Sequence, residues 1–250
     1  MTLREVQLSV LQILKDIDAH CRKNNIKYSL AFGTLLGAIR HSGFIPWDDD
    51  LDIYMSREDF NRFIETWNYE DYYLDNYITN PKCVNTFTKV KKTANRNAET
   101  PFFVDIFPLD KCPKSKIRRK IQQFYGMVFI LMTRRNVRLN SGSKVERITK
   151  FFLKMIPSFV ARKICFLMEN KISKYAGLAT NFDYFACDVV HDVFRFLPAD
   201  SLEYLDMHAF EDSQFPIIRK YDSYLKREYG DYMKLPPVEK RVSPHFVNLQ

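Results

Sequence analysis

Four carboxylates within five positions, Asp48-Asp49-Asp50-Leu51-Asp52, form the densest chemical feature of the 250-residue chain. Side chains alternate across a strand, so Asp50 and Asp52 share one face while Leu51 and Ile53 take the other. Beside Trp47, Leu51 and Ile53 such acids lose part of their hydration and repel one another, which calls for a cation. A hard divalent ion suits them: Mg2+ takes oxygen ligands and shares its shell with phosphates and water, and Mn2+ is the alternative. A third ligand is expected from Asp105, the later acid set in a comparable apolar strand, Phe103-Val104-Asp105-Ile106-Phe107. Upstream, Gly33-Thr34 stands at the mouth of a helix, where free N–H groups and the helix dipole hold phosphate. A bare Asp run is more often a solvated loop or cap, but period-two spacing among apolar residues argues against that here. A phosphate cradle and an acid pair joined by a short helix suit phosphoryl or nucleotidyl transfer, in which a protein mainly positions groups and offsets charge.

Positioning these residues requires a sheet. Leu3, Val6, Val10, Ile13, Leu14 and Ile17 recur at helical spacing behind a Thr2/Glu5 capping box, which predicts a first helix ending near Asn24-Asn25. Tyr28 to Phe32 reads as a short buried strand, Leu35 to Ile39 as the apolar side of a helix, and Asp50 to Tyr54 as a second strand. Ser56 with Asp59 caps a further helix, and Thr86 to Lys91 and Phe102 to Phe107 supply two more strands. From Pro113 to about Lys174 the pattern is two or three helices, broken near Ser141-Gly142-Ser143 and Pro157. Asp188-Val189-Val190 is expected to return to the sheet, and Arg219 to Tyr229 to form a helix stopped by Gly230. The fold class expected is α+β, a mixed sheet with flanking helices. Its divisions are a core over 1–110, a basic helical part over 111–175, and residues 176–250 packing back on the core.

The charge is uneven. Lysines and arginines number 38 against 30 acids, yet Lys111 to Lys174 alone holds 17 basic residues against Glu146 and Glu169. A polyanionic partner is implied: an anionic membrane surface, a phosphate-rich substrate or nucleic acid, the last ranked lowest because no recognised motif accompanies the charge. Phe124, Met127, Phe129, Phe151, Phe152 and Phe159 interleave with the basic residues, as in helices that lie in a membrane interface, although a solvated basic face explains the charge equally well. No apolar run approaches the ~20 residues needed to cross a bilayer, and the N-terminus lacks a secretion signal, so a cytoplasmic place, peripheral at the inner face of the membrane, is expected. Five cysteines without a C-x-x-C pair fit reduced thiols, not structural zinc.

The block from Phe32 through Gly33-Thr34-Leu35-Leu36-Gly37 and Ile45-Pro46-Trp47-Asp48-Asp49-Asp50 to Ile53 closely resembles the signature of the LicD family, whose relatives include fukutin and fukutin-related protein. Lys89-Val90-Lys91, the segment from Phe103 to Asp110, and the tail from Tyr229 through Leu235-Pro236-Pro237 to His245 agree with it. The resemblance implies a nucleotidyltransferase-like fold in which Gly33 and Thr34 hold the donor diphosphate and Asp50, Asp52 and Asp105 hold Mg2+. It further implies transfer of phosphocholine or a phospho-polyol from a CDP-linked donor to a sugar hydroxyl. The acceptor would be a cell-surface glycan or lipid-linked oligosaccharide of a lipopolysaccharide, teichoic acid or capsule. Asp48 is then a partner of the metal ligands or the proton acceptor, and Asp49 is expected to face solvent. Lys89, Lys91 and Arg40 are candidates for the donor phosphates, His41 for orienting an acid or touching the donor, and Arg241 and His245 for closing over the site. Trp47 is expected as a wedge in the core or a stacking surface. Phe210-Glu211-Asp212-Ser213 departs from the family pattern, which has Gly after Phe-Glu. Two other readings of the same residues are nucleotidyl transfer to a small phosphate or RNA, and a membrane-surface binding protein without catalysis.

Overall fold

A computed structural model describes residues 2–93, 102–135, 151–177, 182–187 and 196–243. The chain divides into two compact units: Met1–Leu74, Lys89–Leu109 and Leu197–Gln250 make the first, Asp75–Thr88 and Asp110–Phe196 the second.

The first unit begins with α1 (Leu3–Lys23), whose Thr2/Glu5 capping box is formed as the sequence predicts and whose Val6, Val10, Ile13, Leu14 and Ile17 are fully buried. Asn25 turns the chain at a φ of 52°, a left-handed position that asparagine tolerates, into β1 (Tyr28–Leu30). Then follow α2 (Phe32–His41), β2 (Leu51–Ser56), α3 (Arg57–Thr66), β3 (Tyr72–Asp75), β4 (Thr88–Lys92) and β5 (Phe103–Pro113). Ser56 ends β2 and caps α3 by accepting the Asp59 N–H. The sheet runs β1-β2-β5-β4-β3; β1 is antiparallel to β2 and β2 is parallel to β5, so the sheet is mixed and the class α+β. Parallel neighbours need a long crossover, and the chain from β2 to β5 supplies it.

In the second unit α4 (Lys116–Thr133) and α5 (Ser158–Gly177) pack through Phe129, Met132, Ala161 and Cys165, joined by Tyr77. The Tyr77 hydroxyl donates to the Glu169 carboxylate. Pro157 precedes α5, where the sequence predicts a break; the Ser141-Gly142-Ser143 break lies outside the described residues. Strand β6 (Phe182–Cys187) follows, then β7 (Phe196–Pro198). The strand expected at Asp188-Val189-Val190 lies outside the described residues.

The chain completes the first unit with β8 (Leu205–Phe210) and β9 (Ser213–Ile218), an antiparallel hairpin closed by Glu211-Asp212, and α6 (Tyr221–Tyr229). Gly230 stops α6 at a φ of 67°. The hairpin and β3 were not foreseen: β3 and β8 are largely exposed or half-buried, and Pro216 interrupts the apolar residues of β9. Cys21, Cys83, Cys112 and Cys165 are buried, and burial pushes the Cys112 and Cys165 thiols up to about 12.

Candidate active site

The parallel register sets Asp52 of β2 directly beside Asp105 of β5, with Ile53 opposite Ile106. Leu51, Ile53, Val104 and Ile106 are fully buried, so the apolar residues of both strands fix which way the two acids point. The backbone of Asp52 is held on both sides. Its carbonyl accepts the Ala31 N–H at 2.9 Å, and its N–H donates to the Thr34 hydroxyl at 2.8 Å. Thr34 thus ties the first turn of α2 to the acid-bearing strand. Helix α2 starts one residue earlier than the Gly33-Thr34 step suggests, at Phe32 with a φ of 42°, and the Phe32 ring packs edge-on against Tyr54 and Phe107.

Gly33, in that first turn, faces the acid loop. A Cβ built on it would lie 2.9 Å from Asp48 Oδ2, so the carboxylate sits where any larger residue would place a side chain. The loop is pinned from outside: the Gln7 amide donates to the Asp48 carbonyl at 2.8 Å and the Asp48 N–H donates to the Ile45 carbonyl at 2.9 Å. Gly37 closes the other side, where a Cβ would come within 2.5 Å of the Gly43 carbonyl. Asp48, Asp49 and Asp50 each present a carboxylate oxygen within 4.8 Å of the others. Asp49 is fully buried, which corrects the expectation that it faces solvent. Its carboxylate oxygen nonetheless stays with those of Asp48 and Asp50.

Crowding shows in the acidities. Burial, with the charge of Asp50 and a hydrogen bond to it, pushes the Asp48 carboxyl up to about 8. Burial and the neighbouring Asp50, Asp105 and Asp48 push Asp52 well above the ordinary carboxylate range. Lys89 of β4 relieves part of this repulsion, its ammonium donating to both oxygens of Asp105 at 2.8 and 2.9 Å while lying 3.5 Å from the centre of the Phe103 ring. Strand alternation places Lys89 and Lys91 on one face and the fully buried Val90 on the other. A hard divalent cation fits this donor set: several carboxylate oxygens converge, two of the acids are pushed toward their protonated form without one, and each ligand is oxygen.

Other candidates lie further along α2. Arg40 donates to the Tyr232 carbonyl at 2.7 Å, and its Nε donates to His41 Nδ1 at 3.4 Å. Burial and then the charge of Arg40 push the His41 imidazole below its usual pKa, disfavouring its charged form, and the ring meets Trp47 edge-on. Arg241 lies over Trp47 and donates to the Pro236 carbonyl at 2.8 Å. Trp47 is half-buried, between the core and a stacking surface. His245 lies outside the described residues.

Two positioning residues escape the sequence reading. Gln7 has no signal beyond being a buried polar residue on an apolar helix face. Glu211, in the hairpin turn at a φ of 56°, takes both guanidinium nitrogens of Arg4 at 3.1 and 2.6 Å and the Phe44 N–H at 3.1 Å. Its own N–H donates to the Ser42 carbonyl at 2.8 Å. It thereby fixes the turn that leads into the acid loop, and its one trace in the sequence is the missing glycine.

Residues 25–129 match the family described as LicD/FKTN/FKRP, nucleotidyltransferase domain. Over 266 aligned residues the chain is 31% identical to the lipopolysaccharide cholinephosphotransferase LicD of Haemophilus influenzae, covering 99% of this chain and 97% of that protein. An uncharacterized protein of Rickettsia prowazekii is 33% identical over 176 residues, 58% of this chain and 66% of its own length. A second, from Rickettsia typhi, is 58% identical over 52 residues, 21% of this chain and 17% of its own.

Proposed function

The chain belongs to the LicD family, and from that premise we propose that it transfers phosphocholine from CDP-choline to a sugar hydroxyl of a lipopolysaccharide-type glycan. The observation that carries the chemistry is the pairing of Asp52 with Asp105 across parallel strands, beside Asp48, Asp49 and Asp50. The head group rests on the likeness, along nearly the whole chain, to a cholinephosphotransferase.

Asp50, Asp52 and Asp105 would hold Mg2+, with Asp48 against them. When bound, the ion neutralises charge on the donor diphosphate and on the phosphoryl group in flight. The N–H groups of the first α2 turn, around Gly33, point toward the same phosphates. The sugar oxygen forms a new bond to the choline-bearing phosphorus, the bond from that phosphorus to the CMP oxygen breaks, and CMP leaves. The hydroxyl proton goes to Asp48, whose carboxylate stands beside the metal ligands and is freed to accept it once the ion offsets the crowded charge. Lys89 holds Asp105 in place until the ion is bound.

The place of action follows from the second unit. Ile117, Phe124, Met127 and Leu131 form an exposed stripe along α4, repeated by Phe159, Phe166 and Leu167 on α5, among Lys116, Arg118, Lys120, Arg162 and Lys163. Apolar side chains ringed by cations match an anionic bilayer surface, and among the described residues no helix is long and apolar enough to cross a membrane.

The test is calorimetric titration with CDP-choline, CDP-ribitol and CDP-glycerol, with and without Mg2+, on wild-type protein and the D50A/D52A double variant. Mg2+-dependent binding of CDP-choline, lost in the variant, is expected. Binding of CDP-ribitol or CDP-glycerol alone would overturn the head group, and folded protein that binds none of them would overturn the donor class.

A further inference from the structure

A cleft of about 720 Å3 opens in the first unit between the C-terminal half of α2 and the tail beyond α6. Leu36, Arg40 and Trp47 line one side, and Tyr229, Tyr232 and Arg241 the other. Its volume is that of a site for a small molecule or a sugar unit. Arg40, Lys234 and Arg241 face it against one carboxylate, Asp231.

The two guanidinium groups are spent on carbonyls and a ring. Arg40 donates to the Tyr232 carbonyl and to His41, Arg241 to the Pro236 carbonyl and across the Trp47 face; among the described residues neither meets a carboxylate. Burial, and next the charge of Arg241, disfavour the charged form of Arg40, so the two guanidinium groups share a partly dry space in which three cations face one carboxylate. Such an arrangement is unfavourable until an anion enters, and arginine's planar fork is shaped for phosphate or carboxylate oxygens. The aromatic walls add flat apolar faces, which suit the C–H faces of a sugar ring.

The cleft differs from the place of the donor diphosphate. Gly33 and Arg40 are seven residues apart on one helix, roughly 10 Å along its axis, with the acids at the Gly33 end. Trp47, on the cleft wall, directly precedes Asp48, so the cleft and the acids are consecutive stretches of chain.

We infer that this cleft is the acceptor subsite and that it takes a sugar bearing an anionic group, phosphate or carboxylate, gripped by Arg40 and Arg241 and stacked on Trp47. The inference rests on the transferase reading above but requires no turnover to test. Arg40 is thereby assigned to the acceptor instead of the donor phosphates, and Arg241, expected to close over the site, to the same acceptor.

The experiment is ligand-observed saturation-transfer NMR on the full chain with glucose, glucose 6-phosphate and glucuronate, followed by CDP-choline with Mg2+ as competitor. Saturation should reach the ring protons of at least one anionic sugar, and which one binds distinguishes a phosphate from a carboxylate. Neutral glucose should bind at least tenfold more weakly. R241Q should weaken the anionic sugar about tenfold and R241K less, with CDP-choline binding unchanged in both. If R241Q fails to fold, the R241K titration and the competition still decide. Equal binding of glucose and the anionic sugars, or displacement by CDP-choline, would overturn the assignment. Loss of CDP-choline binding in wild-type protein would instead overturn the donor reading and leave the cleft standing.

Discussion

Metal-free protein should lose stability as the pH rises from 6.5 to 8. The Asp48 carboxyl is held up to about 8 against an ordinary value of 3.8, so the folded chain keeps a proton that the unfolded chain gives up. A group raised on folding stabilises at low pH, and that contribution is lost as pH climbs through the folded value. Each unit of pH costs up to ~1.4 kcal/mol while the folded carboxyl stays protonated, and the slope flattens on reaching 8, which makes the loss about 2 kcal/mol between pH 6.5 and 8. Asp52, raised by its neighbours, acts in the same direction. The opposing contributions are smaller: His20 and His41 are lowered, chiefly by burial, and gain stability as unfolded imidazoles lose their protons around pH 6.5, which offsets part of the loss at the lower edge of the window, while Asp200, Glu211, Asp212 and Asp222, lowered mainly by hydrogen bonds from cations, lose theirs only at acid pH. For a unit of this size ~2 kcal/mol corresponds to a fall in Tm of roughly 4–8 °C. Thermal melts in EDTA at pH 6.5, 7.25 and 8 measure it, with D48N as the variant in which the slope shrinks and 10 mM Mg2+ as the addition that reverses it. A Tm that is flat or rising across the window, or a Mg2+ shift no larger at pH 8 than at 6.5, would refute the account of the acid cluster.

Three further outcomes are expected. Gly33→Ala should lower kcat for CMP release at least tenfold with Tm nearly unchanged, since its methyl would stand 2.9 Å from Asp48 Oδ2; full activity would mean that the loop yields freely. Lys89→Met should cost about 3 kcal/mol in urea unfolding, because it strands Asp105, only 8% exposed, without its cation; a loss under ~1 kcal/mol would mean that water reaches the acid. Glu211→Ala should cost about 1–3 kcal/mol through the unmet Phe44 N–H, whereas Arg4→Ala, at a side chain 51% exposed, should cost under ~1 kcal/mol, and equal losses would place the stabilisation in the ion pair instead.

The first helix, the acid-bearing strand and its partner around Asp105 were legible because each follows from local spacing: a cap at Thr2, alternation from Asp50 to Tyr54, an apolar strand around one acid. Their adjacency was inferred from chemistry, and the register of Asp52 on Asp105 agrees with it. The burial of Asp49 had no local signal, since Asp48 to Asp50 form a loop in which strand alternation does not set the side of each residue. The role of Thr34 was half visible. Its place at the helix start is local, but its bond to the Asp52 N–H joins two elements and has no periodic trace. Glu211 and Gln7 act through single long-range contacts, which leave no pattern in a one-dimensional string. The hairpin of β8 and β9 escaped for another reason: Leu205, Met207 and Ala209 do alternate with Asp206 and His208, but Met207 is 49% exposed so the alternation marks no buried face, and Pro216 interrupts the apolar residues of β9.

The bond between Arg4 and Glu211 spans 207 positions, so it bears on synthesis as well as on the finished molecule. At ~5–20 residues per second the ribosome needs roughly 10–40 s between the two, during which α1 has left the exit tunnel without the hairpin that anchors its start. Until then β1 and α2 lack the hairpin that packs on them, and the acid loop acquires its outer brace only near the end. A nascent chain arrested before residue 211 should accordingly remain bound to chaperone and show no cooperative melt, however complete its sheet.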